Sequence, residues 1–474
     1  MSTRIVVVGG GTAGARLAQR LPVTLLGEEP HAPYNRVLLA DVLAGRYAPE
    51  VIALPGTREP ARLGVRAVRI DRAARTVECA DGSLVGYDRL VLATGSNPVL
   101  PPLRGLRGPA GAEPPEGVHA FRTLDDCLAL RDRVRPGTRA VVIGGGLLGV
   151  SAARALAARG AEVVLTQQGE RLMERQLDAS ASELLREHVE ALGVEVHTEC
   201  RVSGLRQRDG RVTAVELADG FVLDARVVVL ACGVRPRVAL AREAGLAVAT
   251  GIVVDDELRT SDPYVHAIGD CAEHAGRVYG LAGPALEQAD ALAEILRAGE
   301  AGAARSGRPG PGAPALGTEA AADLARGTAG AGTEAAGADR ARPTAGTDRT
   351  DPALSVAAAD PAPASRPAAA DPVPSTAYTG TRALTRLTLG GAEPLDLAAF
   401  GETTALPGDD VVQLTDATRR AYRKVVVRGD RLVGGVLLGD LAAVGTLARA
   451  WEGDEALPDE APLLHLLTHD GGSS

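Results

Sequence analysis

Two stretches of this chain, Ile5–Gly14 (IVVVGGGTAG) and Ala140–Gly149 (AVVIGGGLLG), follow one plan: an apolar run of strand character, a glycine turn, and then a helical pattern. In the first copy Gly9 permits the tight turn, Gly11 lets the main chain approach a pyrophosphate, and Gly14 lets the helix pack on the strand. Thr12 and Ala13 open a helix whose N-terminal amides face anionic phosphates. Gly144, Gly146 and Gly149 repeat the spacing before Leu148-containing helical sequence. Two such units in one chain imply two dinucleotides and an α/β fold built on parallel sheets.

The residues that follow narrow the ligands. Pro22–Leu26 reads as the second strand of the first unit, and Gly27-Glu28-Glu29 follows it, Glu28 lying 19 positions after Gly9 (28 − 9). Carboxylates there hold a ribose diol, and with no arginine following to take a 2′-phosphate the first nucleotide is an adenosine without one, as in FAD or NAD. Tyr87–Pro98 reads as a buried strand ending at Thr94-Gly95, and Tyr264–Ala272 (YVHAIGDCA) as a strand that delivers Gly269-Asp270. A carboxylate at such a turn accepts a hydrogen bond from a ribityl hydroxyl of a flavin. The next stretch becomes helical from about Pro284 and carries Leu286, and its N-terminal amides face the electron-rich edge of a flavin ring. A flavin in one unit and a nicotinamide in the other would supply both halves of a hydride transfer.

Composition sets bounds. The 474 residues exceed what one core holds, and 51 Lys plus Arg against 60 Asp plus Glu give a net charge of −9, which points to neither nucleic acid nor an anionic membrane. Lys424 is the only lysine. A single Arg and then a strand open the chain, and no apolar run approaches the ~20 residues of a membrane helix, so the expected location is cytoplasmic. Cys79, Cys127, Cys200, Cys232 and Cys271 are too far apart in sequence for a local redox pair or a clustered metal site, so no metal is expected.

The order GGGTAG, ATGSNP, GGGLLG, GVRP (Gly233–Pro236) and AIGDCA resembles the pyridine nucleotide-disulfide oxidoreductase superfamily over roughly residues 1–299. PYNRVLLADVLAG, LMERQLD, GRVYGLAGP and the tail YRKVVVRGDRLVGGVLLGD are most similar to the flavin module of NAD(P)H nitrite reductase large subunits and to assimilatory nitrate reductase electron-transfer subunits. The resemblance implies two Rossmann-like domains, for FAD and NAD(P), of glutathione-reductase-like arrangement, with a small α+β C-terminal domain. Residues 1–117 and 236–299 would form the FAD domain, 118–235 the NAD(P) domain, and 377–467 the C-terminal interface domain. It further implies that Gly9, Gly11 and Gly14 hold the FAD pyrophosphate, Glu28 and Glu29 the adenosine ribose, Arg36 and Arg122 the phosphates or ring region, and the backbone near Ala67 the adenine. Thr94, Gly95 and Asp270 line the FAD, while Gly144, Gly146, Leu148, Gly149 and Gly233 meet the nicotinamide cofactor.

Departures from the family pattern bear on function. Ser151 stands where relatives often carry Glu. Asp41 stands where ferredoxin- and rubredoxin-reductase-like relatives put a Lys near flavin N5, which argues against that branch. Thr166-Gln167-Gln168 replaces the ribose-binding acid of the nicotinamide unit and Arg171 is placed to meet a 2′-phosphate, so NADH and NADPH both stay open. Residues 36–46 contain no cysteine, which removes disulfide-reductase and peroxidase chemistry, and the iron-sulfur clusters of a nitrite reductase are absent, so nitrite reduction unaided is not expected. The expectation is an FAD-dependent NAD(P)H oxidoreductase in nitrate or nitrite assimilation, with no catalytic acid or base, passing electrons to a nitrate/nitrite reductase component or a small iron-sulfur protein. The alternatives are a ferredoxin or rubredoxin reductase and a flavin-binding redox-sensing regulator. Residues 300–376, rich in Ala, Gly and Pro without apolar periodicity, read as a disordered linker. The tail strands from Leu384 to Leu438 and a helix through Val444–Trp451 read as a small sheet for dimerisation or acceptor docking.

Overall fold

The apolar runs before the glycine turns become buried central strands. The computed structural model describes residues 3–107, 114–306, 377–390, 394–416, 418–454, 456–457 and 467; the linker expected at 300–376 lies outside them from residue 307 onward. Ile5–Val8 is buried throughout and pairs in parallel with Thr24–Gly27 on one side and Arg89–Leu92 on the other. Val265–Ala267, arriving from much later in the chain, and Arg62–Leu63 complete this five-stranded parallel sheet. The second sheet repeats the plan. Arg139–Ile143 lies between Glu162–Thr166 and Val227–Leu230, with Val194–His197 and Val118–Ala120 at the edges, all parallel.

Each parallel sheet carries a three-stranded antiparallel meander, Ala67–Asp71 to Leu84–Gly86 in the first and Val202–Arg208 to Val222–Asp224 in the second. The chain crosses between the two units through the antiparallel pair Ser96–Pro98 and Val234–Pro236. The helix expected from Pro284 starts two residues earlier and spans Ala282–Ser306. Helices Leu39–Ala44 and Leu124–Arg133 are additions to the sequence reading. The second begins at FRTLDD, where Thr123 accepts from the Asp126 N–H at 3.0 Å and the Asp126 carboxylate accepts from the Thr123 N–H at 2.8 Å. This reciprocal capping box fixes where Arg122 leaves the helix.

The tail is a five-stranded antiparallel sheet in the order Leu384–Leu389, Leu395–Gly401, Arg431–Leu438, Ala421–Arg428, Asp410–Asp416. Alternation sends its two faces into different cores. Leu389, Leu397, Tyr422 and Leu438 join one apolar cluster with Tyr34, Leu39, Val42, Leu130 and Val150. Phe400, Val425 and Leu437 pack on the other face under the helix Val444–Gly453, where the Phe400 and Trp451 rings lie 5.3 Å apart. The tail sheet is thereby wedged against both the first unit and the second.

A polar contact fixes the wedge. The Nζ of Lys424 donates to Asp178 at 2.8 Å and the Tyr422 hydroxyl donates to the same carboxylate oxygen at 2.6 Å, while the other oxygen caps the helix Ala179–Ala191 through the Ala181 N–H. Burial works to raise the Asp178 pKa, but the bonds from Lys424, Tyr422 and Ala181 outweigh it and hold the carboxyl below its ordinary value. A depressed folded pKa contributes stability that is present above the unfolded value, about 3.9, and lost as pH falls through the folded one. Lys424→Met is expected to cost about 1–3 kcal/mol in urea unfolding at pH 7, with the gap to wild type closing below about pH 4 as Asp178 protonates.

Candidate functional site

The two glycine turns have the same geometry. Gly9 and Gly144 adopt φ of +120° and +112°, and a Cβ at either would run into a carbonyl oxygen of the neighbouring strand end, Ala93 or Ala231. A Cβ at Gly14 would collide with the Gly9 carbonyl, and one at Gly149 with that of Gly144. At Gly11 and Gly146 a Cβ would meet nothing within 4 Å. These two residues cap the helices Thr12–Arg20 and Leu147–Ala158 without any side-chain hydrogen bond. Each turn therefore presents uncapped helix N–H groups to an open space, the arrangement that receives a phosphate.

In the first unit that space is a cavity of about 920 Å³ lined by Gly9, Gly11, Thr12, Ala13, Glu28, Glu29, Arg36, Ala67, Thr94, Gly95, Arg122, Gly269 and Asp270, a size suited to a large cofactor. Gly14 lies behind the turn as packing. The second unit reaches the wall through Ala120, Phe121, Arg122 and Val234 as well as Leu147, Leu148 and Ser151, and the tail contributes Arg386 and Leu387. Leu286 is outside the lining and 38% exposed, Ala282 and Ala285 being the residues through which its helix reaches the cavity.

Hydrogen bonds order the polar lining. Arg36 pairs with Glu29 and donates at 3.0 Å to the Tyr34 hydroxyl and at 2.9 Å to the Arg122 carbonyl; Tyr34 in turn donates to Glu29 at 2.6 Å. Burial pushes the Tyr34 phenol up, so it remains a donor at all working pH. Glu29 is thus engaged with Arg36. Its neighbour Glu28 stands at the mouth, paired with Arg237, whose second nitrogen is 3.1 Å from the carboxylate. Arg122 donates to Asp270 at 2.7 Å and to Ser96 at 2.6 Å, and Ser96 donates to Asp270 at 2.8 Å. The Gly269 N–H donates to Gln288, a buried glutamine that holds the turn. Tyr34, Ser96, Arg237 and Gln288 were absent from the sequence expectation, although the first three sit inside or beside the motifs PYNR, ATGSNP and GVRP.

Apart from Leu148, the residues expected on the nicotinamide side lie outside this lining. Gly144, Gly146, Gly149, Gln167, Arg171 and Gly233 are outside its lining. Gln167 turns back onto the glycine turn and accepts from the Gly145 N–H at 2.8 Å. The Arg171 Nε is buried without a partner among the described residues. Ser151 donates to the Leu147 carbonyl one turn back at 2.8 Å. Asp41 does not line the cavity. It faces the second unit and accepts from Arg154 at 2.9 Å, while the preceding Ala40 forms the wall.

No cysteine lines the cavity among the described residues. Burial pushes the Cys127 and Cys232 thiols up, to about 12 and about 11, and raises Cys271 as well. These thiols stay protonated at neutral pH and are not nucleophiles. The described residues hold no cluster suited to a metal ion and no helix long and apolar enough to cross a membrane.

Two Rossmann-like units sharing a crossover and a phosphate-ready cavity define a two-dinucleotide oxidoreductase fold. Residues 3–289 match the pyridine nucleotide-disulphide oxidoreductase family, and the chain belongs to it; it is an FAD-dependent NAD(P)H oxidoreductase, and the Gly11 cradle, the uncapped helix and the cavity fit FAD. Residues 392–453 match the rubredoxin NAD+ reductase C-terminal domain. The chain is 35% identical over 310 residues to the assimilatory nitrate reductase electron transfer subunit of Bacillus subtilis, covering 62% of this chain and 39% of that one. It is 32% identical over 486 residues to the nitrite reductase [NAD(P)H] large subunit of Klebsiella oxytoca, covering 98% and 42%. With the rhodocoxin reductase of Rhodococcus erythropolis it shares 35% over 284 residues, 57% and 65%. The chain spans about two fifths of the length of the first two relatives. A ferredoxin reductase from Rhodopseudomonas palustris has the same fold, with a TM-score of 0.71 at 24% identity over 98% of each chain.

The glycine geometry separates binding from folding. Gly11→Val is expected to leave the thermal transition near wild type and to lower the flavin content of the purified protein by about tenfold or more, one clash being worth over 1.4 kcal/mol. Gly14→Val, which collides with backbone, is expected to lower stability itself by about 3 kcal/mol or more. Absorbance at the flavin band and a melting curve read the two effects.

Proposed function

We propose that the chain delivers electrons from NAD(P)H to an acceptor outside itself, most closely that of an assimilatory nitrate or nitrite reducing system. The observation that carries this is a cavity wall built from three sheets without a cysteine, so that nothing in the described protein relays electrons between the flavin and a partner. The likeness to the Bacillus and Klebsiella proteins supports the choice of system.

In this reading Gly9–Ala13 would hold the FAD pyrophosphate, Glu28 and the Ala67 strand the adenosine end, and Arg122, Asp270 and the start of the Ala282 helix the ring. FAD held there would supply the two-electron chemistry that links NAD(P)H to the acceptor. The protein's part is positioning. Arg122 and Ser96 hold the Asp270 carboxylate in one orientation, Gln288 fixes the Gly269 turn beneath it, and Arg36 is held by Glu29 and Tyr34 with donors to spare. The nicotinamide cofactor enters on the Gly144–Gly149 turn, with Leu148 and Ser151 as the part of that helix that reaches the shared wall. Gly233, Gln167 and Arg171 border its adenosine half. Residues 377–467 serve as the surface that meets the acceptor or a second copy of the chain.

A second reading, a ferredoxin or rubredoxin reductase, is favoured by the match of residues 392–453 to the rubredoxin reductase tail. Asp41 carries no weight against it, since its side chain points to Arg154 rather than into the cavity.

Anaerobic titration of the purified protein with NADH, and separately NADPH, is expected to bleach the flavin spectrum with at least one of them, and added ferricyanide to restore it within seconds. A bound flavin that neither nucleotide reduces would refute the reductase reading. Reoxidation by a nitrate reductase catalytic component but not by a ferredoxin or rubredoxin would select the first reading over the second.

A further inference from the structure

One charge cluster adjoins the cavity without taking part in its lining. Arg154, on the second glycine helix, has a side chain only 4% exposed, and its Nη2 lies 2.9 Å from an oxygen of Asp41. Arg46 approaches the same oxygen at 3.5 Å from the loop after the helix Leu39–Ala44. The Arg154 Nε is buried without a hydrogen-bond partner among the described residues. Gly390, at the end of the first tail strand, packs against both guanidinium groups, so that a Cβ there would meet Arg46 and would stand 3.3 Å from the Arg154 Nη1. Two arginines therefore share one carboxylate where the three sheets meet.

Among the described residues the cluster's sum is one excess positive charge. Its members are immediate neighbours of wall residues: Asp41 follows Ala40, Arg154 lies one helical turn beyond Ser151, and Gly390 closes the strand that carries Arg386 and Leu387. Burial matters here. A cation at nine-tenths burial is screened far less than one at the surface, so its field carries further toward the cavity whose wall its chain neighbours form. Three arginines of the lining differ, because Arg36, Arg122 and Arg237 are each matched to one carboxylate, Glu29, Asp270 and Glu28.

We propose that Arg154 and Arg46, held by the positioning residue Asp41, set an excess positive charge behind the cavity wall that favours the reduced form of the bound flavin. A group that takes up electrons gains negative charge, and a fixed cation nearby stabilises the product over the reactant.

The test is the midpoint potential of the flavin in the FAD-loaded protein, measured against a reference dye during slow chemical reduction. Neither nicotinamide nor acceptor is present, so the outcome is independent of the function proposed above. Removing the carboxylate with Asp41→Asn is expected to shift the potential upward, and Arg46→Met, an exposed position whose loss the fold tolerates, to shift it downward. Arg154→Met is expected to shift it further down than Arg46→Met, and Arg154→Lys to remain nearer wild type. A merely structural junction would move Asp41→Asn and Arg46→Met in the same direction or leave both unchanged, and either result overturns the proposal even where Arg154→Met fails to fold.

Discussion

The structure depends on how closely a helix approaches the strand that precedes it. At Gly14 and Gly149 the helix backbone sits where any Cβ would overlap the carbonyl of the first glycine of the turn. That approach directs the helix start at the cavity and leaves its first N–H groups without side-chain caps. An uncapped helix end is ordinarily a cost in stability. Here it coincides at two equivalent points with a positive-φ glycine turn and with open space beside Gly11 and Gly146, an arrangement suited to an anion. The strand order follows, because each glycine strand is central in its sheet and the phosphate end of a ligand lies at its C-terminal edge.

Around this backbone the charged lining is arranged in pairs. Each of Arg36, Arg122 and Arg237 is opposed by one carboxylate, so these three carry donors in fixed directions. A guanidinium has five N–H donors and a carboxylate occupies two at most in the forked arrangement, which leaves donors directed into the cavity. Pairing also limits rotamer freedom before any ligand arrives, so less entropy is lost on binding. The same logic makes the three-sheet junction stand out, where two arginines converge on Asp41.

What was legible in the sequence was local. The glycine spacing, the strand before each turn and the alternation of the tail strands each declare themselves within about ten residues, and the structure has them within a residue or two. The partners of the lining side chains were not, because they come from distant points: Arg122 and Asp270 are 148 positions apart, and Arg237 and Glu28 are 209. Motif reading placed Glu28 and Glu29 together, yet the strand end directs them to different arginines. Asp41 shows the limit most clearly. Position in a family pattern suggested that it faced the flavin, whereas the short helix Leu39–Ala44 turns Ala40 to the cavity and Asp41 to the second unit.

The tail gives the cavity its last wall, and its seat depends on two unlike contacts. On one side Leu389, Leu397, Tyr422 and Leu438 share an apolar core with both dinucleotide units, which fixes the sheet without specifying its register finely. On the other, Lys424 and Tyr422 converge on Asp178, a residue already committed to capping a helix of the second unit. Directional hydrogen bonds to a half-buried carboxylate have a narrow geometric tolerance, so they set the register that apolar packing leaves loose. Arg386 and Leu387, on the first strand of that sheet, reach the cavity. The single lysine of the chain is thus a structural residue, and part of the cavity wall comes from a domain that contributes no part of either glycine turn.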